Sequence, residues 1–197
     1  HKLIITSAPE GLAANTSGFC VVGKDESMPL NLERELEGLS GYRWLQDAGD
    51  PSNPVAYVHY KLRIANKLFH ALTRISDAGA DYTGRSNKLA SHLALTASEL
   101  APGGPAWLLG QRSVFPETWD GNLDRKLSTA FPSSGYDQPT CDFWAQTIGD
   151  AAWGGVLAQA IADRQKQPVW VIYEPGFDLL RLFRESMSIL PDALRWN

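Results

Sequence analysis

The spacing of apolar positions changes along the chain, and the change separates a strand-rich first half from a helical end. Leu3, Ile4 and Ile5 form a short run stopped by the turn Ala8-Pro9-Glu10-Gly11, which predicts a buried strand over Lys2–Ser7. Gly18–Val22, with Phe19 and Val21-Val22, predicts a second strand. Asn15-Thr16-Ser17-Gly18 connects them tightly, so the two read as a hairpin. Leu32, Leu36 and Leu39 recur at helical spacing within Leu30–Leu39. Asn31 is placed to cap that helix, Glu33 and Glu35 suit its first turn, and Gly41 ends it. A polar loop follows over Asp47–Pro54. Val55–Ile64 then alternates, with Ala56, Val58, Tyr60, Leu62 and Ile64 on one face and His59, Lys61 and Arg63 on the other. Ala65-Asn66-Lys67 turns the chain. Leu68–Ser76 satisfies both periods, and the strong strand just before a short turn favours a strand. Asp77–Arg85 reads as an irregular loop around Gly79 and Gly84, and Ser91–Ala97 as a strand.

Past residue 100 the pattern loosens. Residues 101–138 are dense in Pro and Gly and read as a long aromatic loop that packs over a core or, as the alternative, forms a lid, holding Trp107, Phe115, Trp119 and Phe131. Asp150–Arg164 returns to helical spacing with Trp153, Leu157, Ala160 and Ile161, while Gly154-Gly155 either weakens that helix or admits a close neighbour. Val169–Tyr173 is nearly all apolar, as in strands buried on both faces. Pro175-Gly176 turns, and Asp178–Leu190 forms a last helix through Leu179, Leu182, Phe183 and Leu190. The expected fold is α+β: a mixed sheet with antiparallel hairpins in the first half and a helix–strand–helix unit at the C-terminal end.

Composition narrows the function classes. An apolar share of 44%, with seven Trp, seven Phe and six Tyr, excludes disorder over most of the length, and 197 residues fit a single domain over 1–197. A net charge of −4 supplies no overall basic field for a nucleic-acid backbone or an anionic membrane, and no run of roughly 18 apolar residues spans a bilayer. Cys20 and Cys141 lie far apart in sequence, which fits a reducing cytoplasm and leaves open whether they pair. The chain has no initiator Met and stops at Arg195-Trp196-Asn197, so it is expected to be a fragment of a longer protein.

The densest candidate chemistry lies in residues 80–92. Asp81, Tyr82, Arg85, Asn87 and His92 surround Gly84 there. Asp81 and Arg85 can pair across the glycine and stiffen the loop, or Arg85 can hold an anionic ligand through its planar fork. His92 can serve as a general base oriented by Asn87, or sit as a hydrogen-bonded core histidine while Asp81 caps backbone amides. The spacing matches no hydrolase or transferase motif. Cys20, between Phe19 and Val21, reads as an inert buried thiol. Cys141 lies near a helix start, where a thiol pKa can fall. His1, His59, His70 and His92 show no metal-ligand spacing, so no metal is expected, although separate strands can still assemble a site. Neither a Gly-x-x-x-x-Gly-Lys-Ser/Thr nor a Gly-x-Gly-x-x-Gly occurs. Gly103-Gly104-Pro105 reads as a turn, and neither a cofactor nor P-loop hydrolysis of GTP or ATP is expected. Most tryptophans read as anchors, with Trp107 and Trp119 the candidates for a partner surface.

The opening His-Lys-Leu-Ile-Ile-Thr-Ser-Ala-Pro-Glu-Gly-Leu, Thr16-Ser17-Gly18-Phe19-Cys20, Asp81-Tyr82-Thr83-Gly84-Arg85-Ser86-Asn87, Ala90-Ser91-His92 and the closing Leu190-Pro191 with Arg195-Trp196 together resemble a known family. It is the amino-terminal domain (type 2) of bacterial GTPase-associated proteins, found in multi-gene conflict or signalling systems beside a separate GTPase. The resemblance runs over almost the whole chain. It implies a non-catalytic adaptor or effector-associated domain at the front of a longer protein, with a protein partner for which a GTPase encoded nearby is the candidate; the charge, the apolar runs and the cysteines add the expectation of a cytoplasmic location with no nucleic acid or membrane. It transfers no catalytic residues. Asp81, Tyr82, Arg85, Asn87 and His92 would then shape a recognition surface. The alternative is a hydrolase or transferase in which Arg85 binds a small anion and His92 with Asp81 moves the proton.

Overall fold

Alternating side chains build one five-stranded antiparallel sheet from the first part of the chain. The computed structural model describes residues 1–127, 136–163, 168–174 and 176–197. The strands are β1 (Lys2–Ala8), β2 (Gly18–Lys24), β3 (Ala56–Ile64), β4 (Lys67–Ala80) and β5 (Ser86–Leu95), in the spatial order β2-β1-β5-β4-β3. The chain divides into two compact units, His1–Ser98 with Arg112–Phe131, and Glu99–Gln111 with Pro132–Asn197.

In the first unit, Leu3 and Ile5 of β1, Phe69, Ala71 and Ile75 of β4, and Ala90 and Ala94 of β5 share one face of the sheet. Helix α1 (Leu30–Gly38) closes that face with Leu32 and Leu36, both wholly buried. Each such leucine contributes about 1.5–3 kcal/mol relative to an exposed position. Asn31 does not cap α1, whose N-cap is Pro29 without a side-chain bond. Asn31 Oδ1 accepts instead from the Leu32 amide (3.0 Å). The helix stops at Gly38, before Gly41. Ala56, Leu62 and Ile64 of β3 pack against the same cluster.

The hairpins form where the sequence places them. Ala65 and Asn66, both at positive φ (46° and 66°), make the tight turn between β3 and β4, the geometry that matches strand twist. Two boundaries shift. Asp77–Ala80 continues β4 instead of opening a loop, because Asp77 to Ala80 still pair with β5 across an irregular register. Strand β5 begins at Ser86, not Ser91, so Asn87 and His92 stand on a strand.

The second unit is helical: α2 (Gly104–Leu109), α3 (Asp142–Ile148), α4 (Ala152–Ala162), α5 (Leu179–Ile189) and α6 (Asp192–Arg195). Gly103-Gly104-Pro105 opens α2 rather than forming an isolated turn, with Pro in the first helical turn where its missing amide costs nothing. The expected loop over 101–138 therefore contains a helix, all six residues of which are buried. Trp144, Leu157 and Leu182 form the core where α3, α4 and α5 meet. Gly154 lets α4 approach α3 closely, since a Cβ there would sit 3.1 Å from both Cys141 Sγ and Trp144 Cδ1. Glu185, 3% exposed on α5, accepts from the amides of Phe143 and Trp144 (3.1 and 3.2 Å) and so caps α3. Asp178 caps α5 by accepting from the Arg181 amide (3.1 Å).

Val169–Tyr173 is not a buried strand. Trp170 is 83% and Ile172 97% exposed, and only Val171 turns toward the apolar cluster. Strand preference is a fit to a neighbouring sheet, and the described residues of this unit offer no strand to pair with. Phe131, the expected helix end at Arg164 and the turn at Pro175 lie outside the described residues. Among those described, no helix is long and apolar enough to cross a membrane.

Candidate functional site

The turn between β4 and β5 is organised by one carboxylate. Asp81 Oδ1 accepts from the Thr83 amide (2.8 Å), the Thr83 hydroxyl (2.6 Å) and the Arg85 amide (3.0 Å). Its Oδ2 accepts from Ser7 Oγ (2.8 Å) and Arg85 Nη2 (3.3 Å). The Asp81 amide donates to Arg85 O (2.7 Å) and Gly84 N to Asp81 O (2.9 Å), and Gly84 supplies the left-handed corner at φ +81°. The Thr83 hydroxyl most of all, then the Arg85 amide and the Ser7 hydroxyl, hold the Asp81 carboxyl well below the usual carboxylate range despite its desolvation. The Asp81 side chain is 2% exposed, whereas that of Arg85 is 68% exposed and Tyr82 is 52% exposed.

Ser7 ties this turn to Asn87. Asn87 Oδ1 accepts from the amides of Ser7 (3.0 Å) and Lys88 (2.7 Å), and its Nδ2 donates to Thr6 Oγ1 (3.1 Å). Thr6 Oγ1 donates to Lys88 O (2.9 Å). The β1–β5 register ends at Ile5 opposite Ala90, so these side-chain bonds continue the seam beyond the backbone ladder. Truncating Asn87 to Ala strands buried donors and is expected to cost about 1–3 kcal/mol in a chemical-denaturation measurement.

His92 stands apart from this cluster. It lies inside β5, opposite Thr73 of β4 and Leu3 of β1, with no exposed surface. Its Nδ1 is 2.8 Å from Thr73 Oγ1 and its Nε2 2.9 Å from Ser40 Oγ, just past α1. Burial pushes its pKa down to about 3, so the imidazole is neutral and pins the sheet to the helix end. It shares no partner with Asp81, Arg85 or Asn87. The sequence interval 80–92 thus contains two constellations, Asp81–Arg85 with Ser7, Thr6 and Asn87, and His92 with Thr73 and Ser40. Thr6, Ser7, Ser40 and Thr73 were missed by motif reading. Their only signal is a polar residue within or directly after an apolar run.

The remaining candidates are placed as follows. Trp107 is 4% exposed within α2, so it is core rather than partner surface. Trp119 is half-buried against Ile4, Ala8, Val22 and Leu89, and its indole donates to Asn122 O (2.9 Å). Cys20 and Cys141 are free thiols. Burial raises the pKa of both, and at Cys141 the charges of Glu185 and Asp142 raise it further, so its helix-start position does not yield a thiolate. His59 Nε2 lies 3.0 Å from His70 Nδ1 with the rings stacked. Burial first, then His70 and Lys61, push His59 down to about 4. No group of three or more metal-ligating side chains occurs among the described residues. Two of the clefts lined by described residues lie in the first unit. One, of about 640 Å³, lies among Phe19, Cys20, Lys24, Glu33, Glu37 and Arg125; the other, of about 460 Å³, lies among Lys2, Trp119, Asp120 and Asp124. Neither is lined by Arg85 or His92.

The model of the family described as GTPase-associated protein 1, N-terminal domain type 2, matches residues 1–130. Leu190-Pro191 and Arg195-Trp196, part of the resemblance read along the sequence, fall outside that span. Neither a curated protein nor a solved structure matches the chain. The matched span holds the whole five-stranded sheet, the Asp81 turn and His92. By this match the chain belongs to the GTPase-associated protein 1, N-terminal domain type 2, family.

Proposed function

We propose that the first unit is a non-catalytic recognition module, an adaptor that binds a separate GTPase within a bacterial multi-gene conflict or signalling system. The family description supports the GTPase association. The observation that carries the adaptor reading is how the Asp81 turn divides its groups. Asp81 spends its carboxylate inward on five donors, while Arg85 and Tyr82 stand exposed on a turn already ordered. Arginine and tyrosine are residue types that concentrate binding energy at interfaces, and an ordered turn lowers the entropy lost on docking. Asn87 and, from the far side of the sheet, His92 hold the strands that present the turn. Two free thiols with raised pKa fit a reducing cytoplasm.

The test is affinity of this chain for the GTPase encoded beside it. Arg85→Ala and Tyr82→Ala should each weaken binding by about ten-fold or more while the melting temperature changes little. Unchanged affinity for both variants, with the turn still ordered by amide exchange, would refute the reading.

A further inference from the structure

The two edges of the sheet differ. Beside β2 runs residues 124–127: Asp124 N donates to Val22 O (2.9 Å), Lys24 N to Asp124 O (2.9 Å) and Leu127 N to Lys24 O (3.2 Å). A parallel bridge between Gly23 and Asp124 completes this cover. At the opposite edge β3 is outermost, with no further strand beyond it among the described residues. It pairs with β4 from Ala56 to Ile64 without a register shift and contains no proline. A regular outer strand of this length is a template for another strand.

Charge selects the occupant. Residues 51–76, which include β3 and the larger part of β4, carry Lys61, Arg63, Lys67 and Arg74 and no Asp or Glu, in a chain of net charge −4. Arg74 is buried and bonded to Ser76 and Pro116, but the other three cations are exposed. Lys61 contributes to the depressed pKa of both His59 and His70, after burial. A second copy pairing through the same strand would set this cationic edge against itself, and like charges across a ladder destabilise it. Side-chain alternation sets a further requirement. Ala56, Leu62 and Ile64 turn toward the core side, so Tyr57, Lys61 and Arg63 lie on the other face. Tyr57 and Tyr60 are 38% and 51% exposed.

We propose that the outer edge of β3 accepts an extended segment of a partner protein, alternating acidic and apolar residues, as a sixth strand. Backbone bonds supply the affinity. Carboxylates at every second position lie beside Lys61 and Arg63, and the apolar positions extend the core-facing side next to Val58, Leu62 and Ile64. The site does not depend on the Asp81 turn, so its test is separate from that of the adaptor reading.

The probe is a capped peptide alternating Glu and Val, about nine residues long to match β3. Titrated into the whole chain, it should bind saturably and slow amide exchange at residues 56–64. The same peptide with Lys for Glu, or with a central Pro that cannot complete the ladder, should bind at least about ten-fold more weakly. The double variant Lys61→Glu/Arg63→Glu should reverse the preference between the Glu and Lys peptides while melting like the parent. The proposal fails if the acidic peptide does not bind or protects other residues, or if both peptides bind equally. It fails as well if β3 becomes protected by self-association of the chain, or if a single-stranded oligonucleotide competes at β3 more tightly than the acidic peptide.

Discussion

Acidification from about pH 7 to about pH 4 is expected to remove about 3 kcal/mol of folding stability through His92 alone. The direction follows from the folded-state pKa, about 3, lying below the ordinary histidine value of 6.5. The unfolded chain takes up a proton as the pH drops below 6.5, and the folded chain resists until about 3. Stability is therefore full above the unfolded value and falls through that window. His59, depressed to about 4, acts in the same direction. Asp77 and Asp81 are also depressed, but from 3.8, so their contribution is lost only at still lower pH. Urea unfolding at several pH values between 7 and 4 measures the slope. His92→Asn is less stable at neutral pH, since it disturbs the bridge between Thr73 and Ser40. Its slope should be shallower by up to about 1.4 kcal/mol per pH unit, the equivalent of one proton. An unaltered slope would mean that His92 is not held neutral in the folded chain.

Replacing Arg195 with Met is expected to destabilise the helical unit by about 3 kcal/mol or more, through the buried carbonyls it leaves without a donor. The guanidinium is 5% exposed and satisfies the chain end of α5: Nε donates to Met187 O (3.1 Å) and Leu190 O (2.9 Å), and Nη2 to Ser188 O (3.1 Å). Nη1 reaches Pro102 O (2.5 Å) and pairs with Asp192 (2.7 Å). Met187 O also accepts from the Leu190 amide (3.1 Å) and Ser188 O from Gln138 Nε2 (3.0 Å), but the guanidinium supplies the remaining donors at this helix end, and Met fills the volume without donating. Arg195→Lys should recover only part of the loss, because a single ammonium cannot span carbonyls that a planar fork reaches from two sides. Chemical denaturation followed by tryptophan emission gives the comparison. A loss below about 1 kcal/mol for Met would show that water replaces the guanidinium at those carbonyls.

Elements set by local pattern were legible. The alternation from Val55 to Ile64 and the turn at Ala65-Asn66 produced the β3–β4 hairpin, and the leucine spacing at 32 and 36 produced α1. Gly84 and Asp81 were legible as a stiffened turn, because both act on backbone within four residues of themselves. Elements that depend on neighbours were read less well. Val169–Tyr173 has strand composition and no strand to join, and α2 hides behind a Gly-Gly-Pro opening that also fits a turn. The long reach of β4 to Ala80 follows from pairing with β5, which nothing between Asp77 and Ala80 announces.

The amino-acid sequence alone determined the α+β class, the early hairpins, the late helices and the Asp81–Arg85 turn, because periodicity and turn chemistry act over a few residues. Only the tertiary structure separated His92 from Asp81, joined Asp81 to Asn87 through Ser7, and buried Trp107. Strand pairing brings together residues such as Ser7 and Asp81, 74 positions apart, and sets the face on which each side chain lands. A shift of one residue in that pairing would have moved His92 to the other face of the sheet.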